Sequence, residues 1–154
     1  MKDDVVSLAD GTLMALEEIS DPLFAEGAMG TGFGVTPEHG EIVSPVGGVI
    51  KEVFPTRHAI LIFSNEGTEL LVHMGIGTMR LNGEPFEIQV KPGDSVTAGQ
   101  RIAVMDLEAV KAHGCDTTIA VIFTSVMDRS LVLDQHGKVH CADPLSFHFI
   151  NKLQ

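Results

Sequence analysis

The apolar residues of this chain come in short runs rich in β-branched types, and glycine or proline intervenes before any run grows long. Gly48-Val49-Ile50-Lys51-Glu52-Val53-Phe54, Ala59-Ile60-Leu61-Ile62-Phe63, Arg101-Ile102-Ala103-Val104-Met105 and Thr118-Ile119-Ala120-Val121-Ile122-Phe123 have the length of strands, not of helices. The 16 Gly and 7 Pro are spread evenly among them and supply the backbone angles that tight connections need. This spacing predicts an all-β sandwich or barrel. Helix is confined to one or two turns: Asp21 to Glu26, where Asp21 caps and Pro22 fits the first turn, and Asp106 to Ala112.

The chain carries a weak internal duplication. Ser7-Leu8-Ala9-Asp10-Gly11-Thr12-Leu13 aligns with Ser44-Pro45-Val46-Gly47-Gly48-Val49-Ile50, sharing Ser-x-x-x-Gly-x-aliphatic. Further on, Val90 to Ile102 reads as strands joined by tight turns at Gly93 and Gly99, and His136 to Leu145 is a degraded echo of it.

Two of the 7 histidines bracket a strand, turn, strand pattern. His58 precedes Ala59 to Phe63, Ser64-Asn65-Glu66-Gly67-Thr68 is rich in turn formers, and His73 ends Glu69-Leu70-Leu71-Val72. A two-residue loop at Asn65-Glu66 places His58 opposite His73, and a loop at Glu66-Gly67 places them diagonally on one face. The register between these puts the rings on opposite faces unless a bulge intervenes. A neutral imidazole is a nucleophile near pH 7, and two side by side can divide the labour between attack and stabilisation of the transferred group. Phosphoryl transfer suits such a pair. The geometry remains open at this point, because seven histidines offer many chance pairs.

Composition narrows the alternatives. A chain of 154 residues, 44% hydrophobic, suits one core, so residues 1–154 are expected to form a single domain. No apolar run approaches the roughly 20 residues of a bilayer span, and Met1-Lys2-Asp3-Asp4 is too acidic for a signal peptide. A free-standing cytoplasmic protein is expected, meeting a membrane only through a partner. Cys115 and Cys141 lack metal-type spacing and are expected to be buried thiols; no metal and no cofactor is expected. With 10 basic against 21 acidic residues, the net charge of −11 repels nucleic acid and favours basic protein partners.

The ordered set of motifs resembles the glucose-type IIA component of the bacterial phosphoenolpyruvate:sugar phosphotransferase system. The resemblance runs through Glu18-Ile19-Ser20-Asp21-Pro22-Leu23-Phe24, Gly30 to Pro37, Ser44-Pro45-Val46-Gly47-Gly48, Phe54-Pro55-Thr56-Arg57-His58-Ala59, Leu71 to Thr78, Leu81 to Phe86 and Gly93 to Gln100, and fades after Phe123. It implies an antiparallel β-sandwich phosphocarrier, a phosphotransferase component. His73 matches the histidine that takes a phosphoryl group from HPr and passes it to a cysteine of a IIB domain of a IIB/IIC sugar permease. His58 matches the histidine that hydrogen-bonds the phosphoryl oxygens, Thr56 the hydroxyl that orients that ring, and the backbone around Gly75 the element that fixes the His73 tautomer. Val35, Val46, Phe54 and Leu71 match an apolar rim where partners dock, although strand alternation alone assigns them to the core. His39, His113, His136, His140 and His148 match no functional position. Met74, Met79 and Met105 are core candidates.

The chain departs from the family pattern at the donor-facing surface. Thr31 and Gly77 stand where Asp is usual, which removes two acidic contacts to a basic donor, and Arg57 adds positive charge between Thr56 and His58. These departures leave room for an alternative: a regulatory homologue that kept the fold and binds a transporter or kinase. A metallohydrolase using His58 and His73 lacks a third ligand, since Gly77 falls where a carboxylate would be needed.

Overall fold

The structure is a computed structural model that describes residues 5–152. Its main sheet has eight strands, all paired antiparallel. In chain order these are β1 (Gly11–Ala15), β2 (Thr31–Pro37), β4 (Gly48–Val53), β5 (Ala59–Ser64), β6 (Glu69–Ile76), β8 (Ser95–Val96), β10 (Asp116–Phe123) and β12 (Gly137–Val139). Their spatial order is β12-β1-β2-β10-β6-β5-β4-β8. A second sheet, β3 (Glu41–Val43), β9 (Arg101–Met105) and β7 (Phe86–Ile88), faces it, and β11 (Arg129–Leu133) pairs with β13 (Phe147–Asn151) as a separate two-stranded sheet. The all-β sandwich expected from the strand spacing is therefore observed. Among the described residues no helix is long and apolar enough to cross a membrane.

The helical turns follow from their caps. Helix α1 (Pro22–Ala25) opens with the Asp21 carboxylate accepting from the Leu23 amide at 2.9 Å, and α2 (Leu107–Ala112) with Asp106 accepting from the Ala109 amide at 3.1 Å. Each carboxylate satisfies one of the amides that a helix start leaves without a partner.

The duplication is present as repeated hydrogen bonding. The Ser7 hydroxyl donates to the Ala9 carbonyl and the Ser44 hydroxyl to the Val46 carbonyl. Ser7 exchanges backbone bonds with Asp143 and Ala142, as Ser44 does with Gln100 and Gly99. Downstream, Gly11 pairs with Val139 and Gly48 with Val96.

Strand β6 is covered on both faces, and this positions the site. By alternation, Leu70, Val72 and Met74 enter the main core with Ile60, Ile62, Ile119 and Ile102, against the second sheet. Leu71 points the other way, into a smaller cluster with Ala59, Ala120, Ile122, Leu16, Ile19 and Phe24, and His73 shares its face. Two expectations are corrected here. Met79 is 60% exposed, because it lies on the outer side of the short 3-10 turn Thr78–Leu81, and Cys115 and Cys141 are half-buried thiols near the surface.

Candidate active site

The β5–β6 connection is a three-residue loop, Asn65-Glu66-Gly67, closed by the Ser64 amide donating to the Thr68 carbonyl, so Phe63 pairs with Glu69 and Ala59, not His58, pairs with His73. This is the register in which a regular hairpin would separate the two histidines. They meet because His58 lies outside the strand, in the loop between β4 and β5. There the Arg57 amide donates to the Phe54 carbonyl, and Arg57 takes a left-handed conformation at φ +58°. That backbone reversal breaks the alternation and turns the His58 ring onto the His73 face. The ring centroids are 4.9 Å apart and the planes cross at 78°.

Each imidazole has one nitrogen tied down. His73 Nδ1 lies 2.8 Å from the Gly75 carbonyl oxygen. A carbonyl oxygen only accepts, so the proton of the neutral ring resides on Nδ1 and the Nε2 lone pair is left for chemistry. Gly75 can present its carbonyl backwards along its own strand because its φ is +81°. His58 Nδ1 lies 2.6 Å from the Thr56 hydroxyl. Phe24 meets the His73 ring edge-on at 4.8 Å and Phe54 meets His58 at 5.7 Å.

The electrostatics favour neutral rings. Burial, reinforced by the neighbouring His58, lowers the His73 pKa to about 4 against the opposing effects of the Gly75 carbonyl and the Asp21 carboxylate. Burial also lowers that of His58. At pH 7 the pair consists of two uncharged imidazoles.

The apolar residues expected to form a rim are mostly beneath the surface. Val35 and Val46 are buried in the main core, and Leu71 is buried in the smaller cluster under His73. The strands that carry Val35 and Leu71 are covered on both faces, and Val46 follows a turn whose polar groups are satisfied internally. Phe54 remains half-buried beside His58. Thr31 is also inside: its hydroxyl accepts the Leu131 amide at 2.8 Å, which ties β2 to β11. Gly77 and Arg57 are exposed, with the Arg57 stem lying against Gly83. His39, His113, His136, His140 and His148 are all exposed.

Sequence reasoning missed Phe24, whose ring meets that of His73, and Asp21, whose carboxylate acts on the His73 pKa. A signal existed in Asp21-Pro22-Leu23-Phe24: a capped helix of four residues cannot bury two adjacent apolar side chains, and Leu23 is left 60% exposed while Phe24 turns onto His73. Among the described residues no group of three or more His, Cys, Asp or Glu side chains is placed to hold a metal ion.

Comparison with known proteins agrees with this geometry. The family model for the phosphoenolpyruvate-dependent sugar phosphotransferase system, EIIA 1, matches residues 3–128. The chain is 45% identical over 125 residues to the PTS system glucose-specific EIICBA component of Streptococcus pneumoniae, covering 81% of this chain and 17% of that protein. It is 44% identical over 136 residues to the PTS system beta-glucoside-specific EIIBCA component of Bacillus subtilis, covering 88% of this chain and 22% of that protein. The chain thus spans about a fifth of the length of these curated relatives. Among solved structures, glucose permease IIA from Mycoplasma capricolum superposes with a TM-score of 0.87 at 32% identity, over 94% of both chains. Names drawn from sugar transport do not favour the purely regulatory alternative.

Proposed function

The chain belongs to the EIIA 1 family of the phosphoenolpyruvate-dependent sugar phosphotransferase system, and from that premise we propose that residues 1–154 act as one phosphocarrier domain with His73 as the carrier. The observation that carries the assignment is the 2.8 Å contact between His73 Nδ1 and the Gly75 carbonyl, which leaves Nε2 as the nucleophile of a neutral ring.

Nε2 attacks the phosphorus of a phosphohistidine on the basic phosphocarrier HPr. The new Nε2–P bond forms as the donor's N–P bond breaks, and the donor imidazole keeps the electron pair. A cysteine thiolate of a IIB domain then attacks the same phosphorus, and His73 leaves as the neutral ring it began as. Because both steps pass the group between positioned nucleophiles, free phosphate is never formed and no metal is needed. With Thr56 donating to His58 Nδ1, His58 carries its proton on Nε2 and offers it to the phosphoryl oxygens. Leu23, Phe54 and Ile76 supply apolar contact for the partners, and Arg57 adds a positive charge to the loop that carries His58. The IIB domain belongs to a IIB/IIC sugar permease, through which the cytoplasmic carrier meets the membrane.

Incubation with phosphoenolpyruvate, enzyme I and HPr tests this. An acid-labile phosphate on His73, absent from His73→Ala, is the expected result. Failure of the intact protein to take up phosphate from any HPr supplied overturns the relay. His58→Ala is expected to accept phosphate and to pass it on poorly.

A further inference from the structure

Behind the Gly75 carbonyl lies a buried side chain that the transfer chemistry does not touch. Thr78 is fully buried, and its hydroxyl donates to the Met74 carbonyl at 2.6 Å. Its methyl packs where a Gly75 side chain would be: a Cβ on Gly75 would fall 2.5 Å from Thr78 Cγ2 and 3.0 Å from the Asp116 carbonyl oxygen. Thr78 therefore grips the Met74-Gly75 peptide at two points, one polar and one apolar.

This segment needs an anchor. Gly75 and Gly77 both have left-handed backbones, at φ +81° and +78°, and glycine has more conformational freedom to lose than any other residue. A modest rotation of the 74–75 backbone would swing the Gly75 carbonyl away from His73 Nδ1, and the ring would then be free to carry its proton on either nitrogen. With the proton on Nε2, the nucleophilic lone pair is lost.

We infer that Thr78 is a positioning residue for phosphoryl acceptance, which through the Met74-Gly75 backbone holds the Gly75 carbonyl against His73 and so selects the reactive tautomer. The inference rests on His73 being the carrier, and its primary readout needs no phosphoryl donor. Ordinary capping of the short 3-10 turn that begins at Thr78 would account for a stability loss on mutation; it would not move a proton between the ring nitrogens of a residue five positions earlier.

The test is a two-bond 15N–1H correlation spectrum of histidine-labelled protein near neutral pH, alongside the rate of phosphoryl uptake from phospho-HPr. The intact protein is expected to show the Nδ1–H form of His73. Thr78→Val keeps the shape and loses the hydroxyl; it is expected to populate the Nε2–H form and to slow uptake by roughly 10–100-fold. Thr78→Ser, which restores the donor, is expected to recover both, and Thr78→Ala, which only removes atoms, is expected to behave as Thr78→Val does and replaces it in the test where the valine variant fails to fold. A hydroxyl-free variant that keeps a pure Nδ1–H signal overturns the inference. If the tautomer shifts and the intact protein takes up no phosphate, the hold of Thr78 on the His73 tautomer stands, while its role in phosphoryl acceptance falls with the relay.

Discussion

His73 Nδ1 lies 2.8 Å from the carbonyl oxygen of Gly75, two residues further along the same strand. A strand residue cannot ordinarily reach a carbonyl on its own chain at that separation, because the extended backbone directs carbonyls sideways into the sheet. The left-handed Gly75 turns this one back. One peptide orientation thereby decides which nitrogen of the ring is a nucleophile.

The first prediction concerns pH. His73 has a pKa of about 4, lowered mainly by burial, so it accepts a proton far below the ~6.5 of a free imidazole. Nε2 should stay available from neutral pH to about 5, and the His73 ring resonances should titrate near 4. The unfolded chain takes up the proton first, so this histidine's contribution to stability is complete above pH ~6.5 and is lost as pH falls towards 4. The loss amounts to at most roughly 3 kcal/mol. Urea unfolding of the intact protein and of His73→Gln at pH 7 and pH 4.5 checks it: the variant should lose less on acidification, and equal losses would contradict the assignment.

Thr56→Val separates acceptance from delivery. The Thr56 hydroxyl holds His58 Nδ1 at 2.6 Å, and removing it frees the His58 ring without altering the hydrogen bond of His73. Uptake from phospho-HPr should stay within a few-fold of the intact rate, while transfer to a IIB cysteine slows roughly 10–100-fold. Stability should fall by about 1 kcal/mol. Rapid-quench measurement of the two half-reactions gives both numbers, and equal slowing of the two would place Thr56 elsewhere in the mechanism.

The capped turns, the strands and the duplication were legible in the sequence because each has a local cause: Asp21 before Pro22, β-branched runs between glycines, a serine four residues before the start of a strand. The register of the histidine hairpin was not legible. It depends on a three-residue loop where Asn65-Glu66-Gly67 equally suits a two-residue one, and on a left-handed Arg57 that no turn propensity announces. The apolar rim was not legible for a different reason. Alternation marks a buried face only when the other face is wet, and β2 is buried along nearly its whole length, so nothing in Thr31 to Pro37 distinguishes surface from core.

Gly75→Ala probes the same peptide from the other side. A methyl there would meet the buried Thr78 methyl and the Asp116 carbonyl oxygen, and its left-handed backbone penalises any side chain. The combined cost is about 2–4 kcal/mol. Denaturant unfolding should show that loss, together with an increase in the Nε2–H form of His73; a loss below about 0.5 kcal/mol would mean that the turn is not as constrained as described.

Thr31 supplies the last prediction, because its position separates a structural role from a docking role. The side chain is buried on β2, and its hydroxyl accepts the amide of Leu131, which lies 100 residues away on β11. Thr31→Val keeps the shape and leaves that amide without its acceptor, at a cost of about 1–3 kcal/mol. The damage should concentrate where β11 pairs with β13, whose Phe147 and Phe149 rings pack onto Phe123, so amide exchange should accelerate in that two-stranded sheet before it does so in β6. Phosphoryl uptake by His73 should be unchanged, since neither imidazole nor its hydrogen-bond partner touches this anchor. Hydrogen exchange and uptake rates on one preparation decide the matter: a donor-dependent loss of uptake with a stable β11–β13 pair would return Thr31 to the partner surface, while a loosened β11–β13 pair with normal uptake keeps it where its hydrogen bond places it.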